Sequence, residues 1–180
     1  MFAEFEQYAQ KGLEMGFTHV APLKADTIIC RHEVRGDCAV NKCHAYNKSW
    51  ACPPACGTIE ECQQRIREYE NGLILQTTGE LEDNFDYESM MATSANHAKH
   101  FEAFSDYIKE ICPSALLIGT GGCLRCKQCT YPDAPCRFPN KLTHSMEAYG
   151  MVVSEVCQAN NIQYYYGKNT ITYVACVLVN

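Results

Sequence analysis

The chain has 180 residues, a length that suits one domain with a sizeable core, and its hydrophobic share of 47% excludes a disordered chain. Its net charge of −6 argues against nucleic acid as a partner. Thirteen cysteines, an odd number in a chain too long for a disulfide-stapled miniprotein, point to reduced thiols and bound metal in a cytoplasmic protein. The opening MFAEFEQYAQ has neither a basic n-region nor an apolar h-region. No apolar run reaches the roughly 18 residues that span a bilayer, so no membrane is expected as a partner.

Residues 2–15 read as a helix, with Phe2, Phe5, Tyr8, Ala9 and Leu13 on one face and Gly16 as its stop. Residues 18–23 and 27–30 are short strand candidates. Residues 31–57 are rich in Cys, Pro, Gly and Asn and read as a long irregular loop, which inside a compact domain points to function. Thr58 and Glu61 form a capping box that opens a helix to about Tyr69. The run GLILQTT at 72–78 reads as a buried strand, 79–86 as a polar loop, and 87–111 as a long helix stopped by Cys112-Pro113. Residues 115–119 make a second buried strand, so strand, helix and strand imply a parallel, right-handed βαβ unit. Residues 143–160 read as a helix, and 162–166 and 170–179 as strands of a closing hairpin around Gly167-Lys168-Asn169. The expected class is mixed α/β. One domain, residues 1–180, would carry a mixed sheet, flanking helices and two cysteine-rich loops at about 30–57 and 119–141.

The second loop carries the most specific pattern. GGCLRCKQCTYPDAPCRFP, at 121–139, sets Cys123, Cys126 and Cys129 at every third residue, with Cys136 seven positions further on. Thiolates so closely spaced reach one common centre. Zinc sites take cysteines in well-separated pairs, whereas a C-x-x-C-x-x-C run with a distal cysteine near proline matches cubane iron–sulfur ligation. The reading is a 4Fe–4S centre on Cys123, Cys126, Cys129 and Cys136; a zinc knuckle on the same four thiols is the alternative. Local charge agrees. Residues 58–113 hold twelve acids and four bases, while residues 118–141 hold Arg125, Lys127, Arg137 and Lys141 against Asp133. A four-thiolate cluster carries about −2 when oxidised, and nearby cations balance it.

In the first loop, Cys38, Cys43, Cys52 and Cys56, with Cys30 upstream, form a looser second metal site. Its fourth ligand stays open between Cys56, Cys30 and a non-cysteine group. His32 and His44 are possible ligands, though a lone histidine is more often a satisfied polar residue. Cys62, Cys112, Cys157 and Cys176 read as buried hydrophobes. His97 and His100 read as a solvated helix face, and Tyr164, Tyr165 and Tyr166 as packing on a strand. Ser145 or Thr143 would cap the helix after the second loop, with Glu147 in its first turn. A functional reading makes Glu147 a proton donor near the centre or a partner of Arg137.

Two motif sets, YNKSWACPPACG at 46–57 behind Cys38 and Cys43, and GGCLRCKQCTYPDAPCRFPNKLTHSMEAYGMVV at 121–153, point to a family. Together they resemble a widespread prokaryotic family of predicted metal-binding proteins, a domain of unknown function. The resemblance covers about residues 30–155. It implies Cys123, Cys126, Cys129 and Cys136 as ligands and, on a looser match, Cys38, Cys43 and Cys52. It also singles out Arg137, Ser145, Met146 and Glu147, which match its motif. Asn47 stands where the family usually has Gly, and Asn tolerates the left-handed backbone region. The resemblance implies metal binding without supplying a reaction.

The expected function is therefore an iron–sulfur protein that passes single electrons to a redox partner protein. One alternative is a cluster-dependent reductase or lyase with substrate between the two loops, using Glu147, Arg137 or Tyr46 for polar chemistry. Another is a zinc protein whose metal staples the loops or is sensed. Nothing in the chain resembles a catalytic triad, a flavin site or a nucleotide site, and the GTGG turn lacks the Gly-Lys-Ser/Thr ending of a P-loop.

Overall fold

The computed structural model describes residues 2–180, with side chains from residue 5 onward. One mixed sheet holds β1 (His19–Lys24), β2 (Asn71–Glu80), β3 (Leu116–Gly119), β4 (His144–Ser145) and β5 (Thr170–Val179), in the order β1-β2-β5-β3-β4. β2 and β5 pair antiparallel along their full length, from Asn71↔Val179 to Glu80↔Thr170. Both are long apolar runs because both faces of the sheet are covered. Successive side chains alternate between the faces. Leu73, Leu75, Ala175 and Val177 pack with Phe101, Phe104 and Ile108 of α4 (Tyr87–Ile111), with α1 (Phe2–Glu14) alongside. Ile74, Val174, Cys176 and Leu178 pack with Cys62 and Ile66 of α3 (Ile59–Arg67) and with Val156 and Cys157 of α5 (Val153–Ala159). No described helix is long and apolar enough to cross a membrane.

The capping box forms both ways: Glu61 Oε2 accepts from Thr58 N–H at 2.8 Å and Thr58 Oγ1 from Glu61 N–H at 3.2 Å. β2 and β3 are parallel, as a βαβ unit requires, but β5 lies between them, antiparallel to each. The unit is a split one. The closing hairpin does not form. Residues 162–166 are not a strand; Gln76 holds them instead, donating to Gln163 O at 2.9 Å and accepting from Tyr166 OH at 2.6 Å. β5 takes the central slot, where its buried run 174–179 is covered on both faces.

Four other expectations are corrected. Residues 143–160 are not one helix. They break into β4, a turn, an isolated bridge Cys30↔Met151 and α5. Ser145 therefore lies in a strand, and its hydroxyl accepts from Ala148 N–H at 3.0 Å. Residues 27–30 make no strand beyond that bridge, and Ala25–Thr27 is a 3₁₀ turn. The first cysteine loop contains α2 (His32–Ala39), which buries no residue and so leaves no apolar stripe in the sequence. On α1, Leu13 is exposed rather than packed; Phe2 lies outside the described side chains.

β4 is short, but it positions the site. It runs parallel to β3, with Ile118↔His144 and Gly119↔Ser145 paired, and Met146 N–H bonds Gly119 O at 3.1 Å. The cysteine-rich excursion after β3 is thus pinned at both ends to the edge of the sheet, beyond the carboxyl end of β3.

Candidate metal centre

Cys123, Cys126, Cys129 and Cys136 line one small cavity, together with Ser49, Arg137 and Phe138. Ser49 belongs to the first loop, so the cavity has two walls. The walls are docked directly. Trp50 Nε1–H donates to Ala134 O at 3.0 Å, and the Trp50 ring meets Tyr131 edge-on with centroids 4.9 Å apart. Tyr131 OH donates to Asn47 Oδ1 at 2.7 Å. Asn47 has φ 55°, the left-handed geometry that Asn tolerates, and its N–H bonds Pro53 O at 2.8 Å.

At one of the four thiols, Cys129, the surroundings favour anionic sulfur. Burial raises the Cys129 thiol, but hydrogen bonds from the Trp50, Tyr131 and Thr130 backbone and from Ser49 outweigh it and hold Cys129 below its ordinary value. Two of the expected counter-cations serve another purpose. The Arg125 side chain is 9% exposed and bonds Glu102 at 3.1 Å and Asp106 at 2.9 Å, while Lys141 reaches Asp106 at 3.2 Å. They dock the loop on α4. Arg125 nonetheless lines the cavity, as does Arg137, which donates to Gln128 O at 2.8 Å.

The cysteines of the first loop divide. Burial and the nearby thiols of Cys43, Cys38 and Cys123 push Cys52 up to about 11, which places these four sulfurs in one electrostatic neighbourhood. Burial also raises Cys38, whose Sγ lies 3.8 Å from Glu147 O; the Glu147 carboxylate raises it further and Arg35 lowers it. Cys56 turns elsewhere. It is buried beside Cys62, and its Sγ lies 3.8 Å from Ala148 O. Cys62 accepts from Cys56 and from Arg35 Nη2 at 3.3 Å, and its thiol is held below the ordinary value despite burial. Arg35 also donates to Gly57 O at 2.8 Å, while Arg65 donates to Tyr149 OH at 2.8 Å and to Cys56 O at 2.6 Å. Cys30 is pushed up to about 12 by burial and by Cys62.

Other candidates are spread out. Glu147 is exposed beside Cys38. Tyr46 is half-buried, its N–H on Asn41 Oδ1 at 3.1 Å. His44 is exposed, and exposed His32 sits 2.9 Å from Glu60. His97 is buried rather than solvated, with Nδ1 3.0 Å from Thr77 Oγ1. Cys62, Cys157 and Cys176 are buried as expected, and Cys112 is partly so. Among the described residues, no three His, Cys, Asp or Glu side chains gather closely enough to hold a metal ion.

A family model described as predicted metal-binding protein, DUF2284, matches residues 21–179. The chain belongs to that family. The match takes in the whole sheet but for two residues of β1, together with both cysteine loops. No curated protein and no solved structure matches the chain.

In this DUF2284 protein the donor set fits a thiolate-bound metal centre. Four thiols surround a cavity, with N–H donors aimed at one of them and Arg137 at its side. Reading the sequence by type missed Ser49, Arg35 and the inter-loop contact of Trp50. Ser49 and Trp50 stand in the motif 46–57, which was their only signal. Trp50→Ala should loosen the two walls. The lost hydrogen bond and ring contact are together worth about 1–2 kcal/mol, read as a lower urea midpoint and faster amide exchange at Thr130 and Tyr131.

Proposed function

We propose that this DUF2284 protein holds a 4Fe–4S cluster on Cys123, Cys126, Cys129 and Cys136 and serves single-electron transfer to a partner protein. The observation that carries the reading is that all four thiols of the C-x-x-C-x-x-C run and its distal cysteine line one small cavity. Zinc sites take cysteines in well-separated pairs, whereas this spacing matches cubane iron–sulfur ligation. Bound there, such a cluster would supply one-electron chemistry. The chain's own residues do the rest: Ser49 and the backbone at Trp50, Thr130 and Tyr131 hydrogen-bond Cys129 and lower its thiol, and Trp50 against Ala134 closes the first loop over the second.

Cys38, Cys43 and Cys52 are proposed as ligands of a second centre. Cys38 and Cys43 are both among the electrostatic neighbours of Cys52. Half-buried Arg35 lowers Cys38 against the burial that raises it, and donates to Cys62 Sγ at 3.3 Å. Thirteen free thiols suit a reducing, cytoplasmic compartment.

Protein purified without oxygen should be brown, with broad absorbance at roughly 400 nm and about four irons and four sulfides at the main centre. A colourless preparation with stoichiometric zinc, and neither iron nor sulfide, would overturn the reading in favour of a zinc-stapled or metal-sensing protein.

A further inference from the structure

The two cysteine loops gather the positive charge of an acidic chain. Residues 31–57 and 118–141 hold eight bases and three acids; the remainder holds seven bases and eighteen acids. Some of these bases are used internally. Arg31, Arg125 and Lys141 pair with Glu155, Glu102 and Asp106, and Arg35 turns inward to Gly57 O and Cys62. Lys42, Lys48, Lys127 and Arg137 stay exposed, and none forms an ion pair among the described residues. All four stand in the two cysteine loops. Lys127 stands between Cys126 and Cys129, Arg137 lines the cavity, Lys48 precedes Ser49 on its wall, and Lys42 precedes Cys43.

Apolar side chains stand among them in water. Leu124, next to Cys123, is 74% exposed, Val40 63%, and Phe138, which lines the cavity, 46%. A single exposed hydrophobe means little. Leu124 and Phe138 share the second loop with Lys127 and Arg137, and Val40 stands two residues from Lys42 on the first; exposed hydrophobes among unpaired cations are the composition of a transient protein contact. Nucleic acid fits less well: of the three hydrophobes only Phe138 offers a ring for a base to stack on, and the whole chain is anionic.

We infer that this face docks an acidic electron-carrier protein, whose carboxylates meet Lys42, Lys48, Lys127 and Arg137 around Leu124 and Phe138. The inference rests on the iron–sulfur reading above and names the partner of that same site. Electrostatic docking of this kind speeds encounter and weakens with salt, because exposed charges are screened beyond about 10 Å at 0.1 M.

The test is calorimetric titration of the anaerobic holoprotein with a small, strongly acidic ferredoxin, at about 20 mM and about 300 mM ionic strength. A basic cytochrome and a single-stranded oligonucleotide are the comparison probes. Affinity for the ferredoxin should fall about tenfold or more with salt. Lys42→Glu/Lys48→Glu should cost a similar factor at low salt, and Leu124→Ser should weaken binding at both salts. Unchanged iron and sulfide in each variant exclude misfolding, and Lys48→Glu alone serves if the double variant does not fold. No binding at low salt, binding indifferent to salt and to the variants, or equal or tighter binding of cytochrome or oligonucleotide would overturn the docking face. Binding needs no electron transfer. Zinc without iron therefore sinks the iron–sulfur reading by itself, and the titration still reads the face.

Discussion

Cys126→Ser should strip the main centre of its metal. Cys126 is the middle thiol of the run and lines the cavity with the other three. A serine hydroxyl in its place is a harder, far less acidic ligand, and the soft iron–sulfide core prefers thiolate. Anaerobic iron and sulfide should fall by most of the main centre's content, about four of each, with the absorbance at roughly 400 nm falling in step. Any metal left belongs to the group of Cys38, Cys43 and Cys52, so the same measurement reports whether that second centre exists. Cys112→Ser is the control, since Cys112 lies at the end of α4, 3.6 Å from Ser114, and should leave the metal unchanged. Trp50 is the only tryptophan and packs on Tyr131 of the second loop, which carries the main centre, so its emission should brighten as metal is lost. Metal content unchanged in Cys126→Ser would remove this cavity from consideration.

Gly150→Ala should cost at least about 3 kcal/mol of stability, read as a large drop in urea midpoint. Gly150 has φ +74°, and a Cβ there would meet Arg31 O at 2.6 Å, Ile59 Cδ1 at 2.7 Å and Arg31 N at 2.9 Å. Two of those atoms are backbone and cannot rotate away. They belong to the stitch that joins the first cysteine loop to the body: Arg31 N–H bonds Gly150 O at 2.7 Å, and Cys30 bridges Met151. Relieving the clash means breaking that stitch, so the first wall should also lose its register against the second. Gly121→Ala is the contrast. It has φ +71° but nothing within 4 Å of a new Cβ, so only the backbone strain of about 1 kcal/mol is expected. Equal losses in the two variants would show that strain, and not the Arg31 contact, decides.

The difference between these two glycines shows where reading the chain stops. Both stand in motif-rich segments and look alike in sequence. Only the fold brings Arg31 against one of them. The same holds for the cations of the second loop. Four bases against one acid read as counter-charge for a cluster, but Glu102 and Asp106, nineteen or more residues earlier on α4, pair with Arg125 and Lys141. Among the first-loop cysteines, type and spacing treat Cys52 and Cys56 as equivalent. In the fold Cys52 shares a neighbourhood with Cys38, Cys43 and Cys123, while Cys56 pairs with Cys62.

Local patterns were legible wherever the cause is local. The capping box at Thr58, the helix Tyr87–Ile111, the buried runs of β2 and β3 and the C-x-x-C-x-x-C spacing all follow from neighbours within a few residues, and all can be read directly. What lay out of reach depends on distant partners. β5 sits between β2 and β3 because burying both faces of 174–179 outweighs pairing with the segment just before it, a comparison across the whole sheet. β4 is too short to carry periodicity and exists only because β3 lies beside it. The sequence by itself determined the thiols, their spacing and the family. The tertiary structure decided which wall faces which thiol and which cations remain free, because those depend on contacts between segments that the linear order keeps far apart.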